Sequence, residues 1–257
     1  MQKSIDLNSD LGEGFGPWRM GEDGAMLSLV TSANIACGGH AGDPETMFET
    51  LCLARDHGVV AGAHPGYPDR EGFGRRVIPC TNGEIERFVA AQTGALMGSA
   101  ALAGAQIRYV KPHGALGLLA CDNAVVADAI ARAVASVSRQ LAVLAIASTE
   151  LEAAAGRAGL QVFSEIFADR AYLRSGRLVP RNQPAAMIDD AEAAAERLLA
   201  FLDSGRMPTL NGTTIRLDAH SISVHGDSAG AVLMARVIRE RLLAEGIGIK
   251  PFVEPLA

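Results

Sequence analysis

Asp6-Leu7-Asn8-Ser9-Asp10-Leu11-Gly12-Glu13-Gly14 reads as a short strand that stops in a polar, glycine-punctuated cluster. The same design recurs in four more places. They are Asn34-Ile35-Ala36-Cys37-Gly38-Gly39-His40-Ala41-Gly42-Asp43, Gly62-Ala63-His64-Pro65-Gly66-Tyr67-Pro68-Asp69, Tyr109-Val110-Lys111-Pro112-His113-Gly114 and Ser223-Val224-His225-Gly226-Asp227. Each sets a titratable group where an apolar run ends, and four of the six histidines fall in these clusters. In a parallel α/β protein all strand C-termini point the same way, so such clusters meet at one mouth.

The rest of the chain supports that reading. Residues 3–8, 32–37, 59–63, 106–111, 141–147 and 161–166 read as strands, followed by short runs at 215–217 and 222–225. Helical patterns fall between them, at 22–30, 44–57, 81–103, 122–138, 149–158, 189–204 and 227–245. Asp43-Pro44 and Thr81-Asn82-Gly83-Glu84 are helix-start signals. The run at 141–147 is almost wholly apolar, as a strand covered on both faces should be. About seven strand–helix units follow one another without a Ser- or Pro-rich linker. The expected fold is α/β, a single seven-stranded (β/α) barrel domain over residues 1–257.

Composition bounds the function. Apolar residues make up 49% of the chain, so it can bury a sizeable core. The net charge is −6 and no basic run exceeds Arg75-Arg76, which argues against nucleic acid as a partner. The four cysteines, at 37, 52, 80 and 121, match no zinc spacing. Free thiols, and a strand that begins almost at Met1, suit a cytoplasmic protein without a signal peptide. Residues 88–107 carry no charge, yet they are rich in Ala, Gly, Ser and Gln. They read as an outer helix rather than a membrane span, with Gly94 and Gly98 allowing close approach to a sheet.

The clusters together resemble the LamB/YcsF family. The matching stretches are residues 6–16, 33–44, 62–69, 72–76, 110–116, 165–172 and 224–227. Several long motifs in order across residues 5–227 make the likeness specific. It implies a barrel of the glycoside hydrolase/deacetylase type. It also implies cleavage of the 5-oxo-L-proline (pyroglutamate) lactam to L-glutamate, with ATP and Mg as cosubstrate. Two further subunits, of B and C type, would be required. The chain departs from the family pattern at Ser9, at Gly117-Leu118 (where Tyr-Asn is usual) and at Ser223. Those departures leave room for a different lactam or amide, or for a self-sufficient metal-dependent amidase or deacetylase.

Lactam opening needs a base for water, donors for an oxyanion or phosphate, and a handle for the substrate carboxylate. Alternation puts Asp6, Asn8 and Asp10 on one side of the first strand. Asp10 is the candidate base or metal ligand; Asp6, Asn8, Glu13 and Asn34 are candidate substrate contacts. His64 is a candidate catalytic residue and His40 a candidate substrate contact; the two could hold a divalent metal with Asp10, or could orient carboxylates. Lys111 is a candidate anion binder, with His113 as acid or base; the rival is a structural pair of Lys111 with Asp6 or Glu165. Glu165, Arg170, Arg181 and His225 complete the candidate set; Arg170 or Arg181 could clamp a carboxylate bidentately, with a structural salt bridge as the rival. Arg75 and Arg76 sit in the first long loop, which could act as a lid or, as favoured here, a subunit contact, and Asp227 could cap the last helix. No G-x-x-x-x-G-K-[ST] loop is present, so nucleotide binding could belong to a partner.

Overall fold

The computed structural model describes residues 4–227 and 230–254. Six parallel strands come first: β1 (Ser4–Leu11), β2 (Ser32–Ala36), β3 (Val60–His64), β4 (Ile107–Val110), β5 (Ala142–Ile146) and β6 (Val162–Phe167). β7 (Arg206–Pro208) and β8 (Thr214–Arg216) form a separate antiparallel hairpin. β9 (Ser221–Val224) then slots between β6 and β1, pairing Ser221 with Glu165 on one side and with Asp6 on the other. That double pairing closes a seven-stranded parallel barrel, as the alternation of strand and helix signals implied. β10 (Gly248–Ile249) extends the sheet along the start of β1.

Among the described residues eight helices wrap the barrel: α1 (Asp23–Leu27), α2 (Pro44–Asp56), α3 (Asn82–Ala103), α4 (Gly114–Asp122), α5 (Ala124–Val137), α6 (Glu150–Arg157), α7 (Ala191–Ser204) and α8 (Ala231–Ala244). Local sequence sets their starts. Asp43 accepts the backbone N–H groups of Glu45 and Thr46 at 3.0 and 2.9 Å, with Pro44 in the first turn of α2. Thr81 and Glu84 close a capping box on α3. α3 buries Ile85, Val89 and Leu96 on one face, each contributing about 1.5–3 kcal/mol. It packs on α2 and α5 as an outer helix. Among the described residues no single helix is long and apolar enough to cross a membrane.

Four expectations change. Ile215 and Arg216 of the run at 215–217 belong to the β7–β8 hairpin, where Ile215 pairs with Met207, and among the described residues that hairpin is a sheet separate from the barrel. The helix expected at 122–138 begins at Ala124, where Asn123 takes the backbone N–H groups of Val125 and Val126. An unexpected helix, α4, precedes it. The final helix starts at Ala231 behind Gly230, whose φ of +85° suits glycine, so Asp227 is not its cap. Gly94 and Gly98 are exposed, and a Cβ on either would meet nothing within 4 Å, so they permit no close approach. Lys3 and residues 228–229, included in the expected first strand and last helix, lie outside the described residues.

The barrel interior is graded. At the floor, Val60, Tyr109, Ala142 and Leu144 pack with Phe163, Phe252 and Val253. Above them sits a layer of Asp6, Ser32 and Ser221, then Asn8 and Asn34, all buried. The mouth, at the strand C-termini, carries the charged groups.

Candidate active site

Lys111 stands at the centre of the mouth, just past the end of β4. Its Nζ lies 2.9 Å from Asp10 Oδ1, 3.1 Å from Glu165 Oε2, 3.2 Å from Asn8 Oδ1 and 3.1 Å from Ser223 Oγ. Burial favours the neutral amine, but Asp10 and Glu165 outweigh it and hold the ammonium above its ordinary pKa. With four protein acceptors around it, Lys111 sits in the pairing with Glu165 that was the rival to anion binding. Asp6 takes no part in that pairing.

The two carboxyls beside Lys111 differ. Burial pushes Asp10 up, but the neighbouring His64 ring and the Lys111 ammonium overcome it and hold Asp10 well below the carboxylate range. Asn34 Nδ2 donates to the same Oδ1 at 2.8 Å. Glu165 lies within β6, and burial together with the Asp10 charge raises it despite Lys111. Glu13 is raised well above the usual range, first by burial and then by Asp10 and Asp227.

Three histidines cluster on the β2–β4 side. His64 Nδ1 lies 2.6 Å from Lys111 O, and His64 Nε2 lies 3.4 Å from Asp10 Oδ1. His113 Nδ1 is 3.1 Å from His64 Nε2, and its Nε2 is 2.9 Å from Phe73 O. His40 stacks on His113 and lies 3.0 Å from Glu13 Oε1. Burial holds His40 and His113 well below the ordinary histidine pKa. One donor atom from each of Glu13, His40, His64 and His113 lies within 4.8 Å of the others, so this buried group could bind a metal ion.

These groups open onto a cavity of about 500 Å³. Asp10, His64, Lys111, His113, Glu165, Arg170, Arg181 and His225 line it. Its far wall is apolar, from Leu144, Ile146, Leu151, Leu178 and Pro180. Arg170 is 3% exposed and lowered to about 10 by burial and by Arg181, so it stays cationic at neutral pH. Its Nη2 donates to Val179 O at 2.6 Å, while its Nε has no partner among the described residues. Arg181 reaches the mouth from the exposed loop after β6. His225 Nδ1 is 2.7 Å from Asp169 Oδ2.

Other candidates lie elsewhere. Asp6 is two layers below the mouth, accepting hydroxyls from Thr31 at 2.6 Å, Ser32 at 2.7 Å and Ser221. Burial raises it to about 6. Asn8 and Asn34 bond Lys111, Asp10 and each other beneath the cavity. Glu13 and His40 sit behind His64 and His113. Arg75 lines the cavity and pairs with Asp227 across the mouth. Arg76 is the outward one, held by Asp69. Sequence reasoning also missed Phe73. It has φ of +52°, its carbonyl holds His113, and its ring packs on His40 and His113. The flanking glycines of Gly72-Phe73-Gly74 were the available signal.

A closed parallel barrel with carboxylates, imidazoles and cations gathered at its C-terminal mouth defines a β/α-barrel protein with candidate acid and base groups at one end. The chain belongs to the LamB/YcsF family, whose profile matches residues 5–257. It is 53% identical over 249 residues to the A-type 5-oxoprolinase subunit of Azorhizobium caulinodans, covering 97% of this chain and 98% of that one. A counterpart of the same description from Rhodopseudomonas palustris is 49% identical over 250 residues, covering 97% and 98%. The crystal structure of a lactam utilization protein from Thermus thermophilus superposes with a TM-score of 0.91 at 41% identity, covering 96% of this chain and 99% of that one.

Proposed function

We propose that this chain is the A-type subunit of an ATP-dependent 5-oxoprolinase. In that role it opens the lactam of 5-oxo-L-proline to L-glutamate together with two partner subunits, with MgATP as cosubstrate. The names of its relatives support this. The observation that carries it is the meeting of three groups in one cavity: an ionised Asp10, a Glu165 biased toward its protonated form, and a buried, under-bonded Arg170.

The chemistry follows from the pKa contrast. Opening the ring adds a water oxygen to the lactam carbon, breaks the C–N bond and gives the nitrogen a proton. Carboxyls whose environments push their pKa values apart can divide base and acid duties. Asp10 takes the water proton. Glu165 supplies the proton that the departing nitrogen needs. Lys111 touches both and positions them. Arg170, with Arg181 at the mouth, accepts the substrate carboxylate, which satisfies the unpaired Nε. An unstrained amide resists water at neutral pH, and phosphorylating its oxygen at the expense of ATP, with release of ADP, makes the carbon a better electrophile. After water adds and the C–N bond breaks, the resulting acyl phosphate is hydrolysed by a second water to L-glutamate and inorganic phosphate. The chain carries no phosphate-loop sequence, so nucleotide binding is assigned to the assembled complex.

The test is glutamate release from 5-oxoproline by the chain alone and with its partner subunits, each with and without MgATP. Release that needs both partners and ATP is expected, and Asp10→Asn should abolish it in a folded complex. Release by the chain alone without ATP would overturn the subunit reading. It would favour the self-sufficient metal-dependent amidase, which the Glu13–histidine group makes the second reading.

A further inference from the structure

We infer that His64, His113 and Glu13 form a binding site for a divalent transition-metal ion of the zinc class, with an open position facing the cavity. Hydrogen positions carry the inference. His64 Nδ1 faces Lys111 O at 2.6 Å, and His113 Nε2 faces Phe73 O at 2.9 Å. A carbonyl oxygen only accepts, so both of these nitrogens bear hydrogen. In the neutral rings, His64 Nε2 and His113 Nδ1 then carry lone pairs, and they face each other at 3.1 Å. Two lone pairs at that distance repel unless a cation lies between them. Two carboxyl groups border the same point, and a bound cation would favour the ionised form of both: Glu13 Oε1 is 3.6 Å from His113 Nδ1, and Asp10 Oδ1 is 3.4 Å from His64 Nε2.

The dimensions agree. A tetrahedral ion with bonds of about 2.0–2.2 Å holds its ligand atoms about 3.3–3.6 Å apart. The separations of 3.1 and 3.6 Å lie close to that span. Two imidazoles and a carboxylate are the donor set that suits zinc. His40 has a different part, although its nitrogen is close enough to be counted with the others. Its ring stacks on His113 at 3.5 Å with the planes 4° apart, so the lone pairs of the two rings run parallel instead of converging. His40 Nε2 meets Glu13 Oε1 at 3.0 Å and orients that ligand. The two backbone carbonyls orient His64 and His113 in the same manner. Three protein ligands and a position open to substrate are the arrangement of a catalytic ion rather than a structural one. Bound there, the ion would supply a Lewis acid beside Asp10.

This inference stands apart from the lactam reading, because metal is measured without substrate or ATP. The full chain, free of any histidine tag, is stripped with a chelator, incubated with Zn²⁺, desalted and assayed by mass spectrometry of the metal. One zinc per chain is expected. His64→Gln and His113→Gln should each reduce zinc to background, and Glu13→Gln should weaken binding at least about tenfold. His220→Gln, whose ring accepts the Ser164 backbone N–H and packs on Phe163, should keep its zinc. If a histidine variant fails to fold, X-ray absorption at the zinc edge of the wild type decides, and two imidazole nitrogens in the first shell are expected. Zinc at background in the wild type would overturn the inference and leave a shared proton between the two rings. Full zinc in both histidine variants, or a first shell without imidazole, would overturn it equally.

Discussion

Asp6 and Asp10 lie four residues apart on one strand, face the same interior, and have opposite electrostatics. Asp10 meets an ammonium and stays ionised; Asp6 meets hydroxyls, and burial raises it to about 6. Sequence alternation could place both inside the barrel, but it could not tell which would find a cation. That depended on Lys111, which is 101 residues from Asp10 in the chain and reaches it only once the barrel closes. The Asp6 shift has a consequence for stability. Its carboxyl titrates near 6 when folded, against about 3.9 when unfolded, so between those values the folded chain holds more protons. The stabilisation is fully present below about pH 4 and is lost as pH rises through 6. Urea titrations of wild type and Asp6→Asn across pH 4–8 should therefore diverge. The variant should gain on the order of 2–3 kcal/mol relative to wild type between pH 4 and 7. Parallel curves would show that Asp6 is not shifted.

At the scale of elements, strands were legible because each apolar run ends in a glycine- or proline-marked cluster, and capped helices because Asp43-Pro44 and Thr81–Glu84 announce themselves. α4 was not. Its sequence, Gly114–Asp122, is apolar nearly all round and begins with glycine, so it carries neither an amphipathic period nor an N-cap signal. The β7–β8 hairpin was mistaken for barrel sequence because a three-residue strand has too few positions to show which sheet it joins. The loop at 65–80 was legible as a loop but not in its role. Its Phe73 carbonyl fixes His113, and its Arg75 crosses the mouth to Asp227. That clasp ties the β3 side of the mouth to the β9 side. Arg75→Ala and Asp227→Ala should each raise KM for the lactam about tenfold, with kcat changed less. The double variant should be no worse than either single one, since both remove the same contact. Additive losses in that cycle would mean that the two residues act separately.

Taken whole, the barrel interior runs from an apolar floor through a hydroxyl and amide layer to a charged mouth, and one side chain spans the first two. Tyr109 packs its ring with Phe252 and Val60, while its hydroxyl donates to Asn34 Oδ1 at 2.7 Å. Asn34 in turn donates to Asp10 at 2.8 Å, so the floor is linked to the site by two hydrogen bonds. The layering was implicit in the alternation of Asp6, Asn8 and Asp10. The link was not, because it needs a space that only glycine leaves. A Cβ on Gly62 would sit 2.3 Å from the Tyr109 ring, a contact no real pair tolerates. The two ends of this arrangement can be tested separately. Gly62→Ala must displace the ring from a packed floor, an overpacking that costs about 1–3 kcal/mol. Tyr109→Phe keeps the ring and removes only the hydroxyl, leaving Asn34 Oδ1 short of a donor at about 1–3 kcal/mol. Both should lower the urea midpoint. They should differ in catalysis: Tyr109→Phe loosens Asn34 against Asp10 and lowers kcat with KM unchanged, because the cavity wall is untouched. Gly62→Ala shifts the ring that also carries that hydroxyl, so it should lose at least as much kcat. If Tyr109→Phe lost stability but kept full kcat, Asn34 would be held by Asn8 and the strand alone, and the floor would be uncoupled from the chemistry at the mouth.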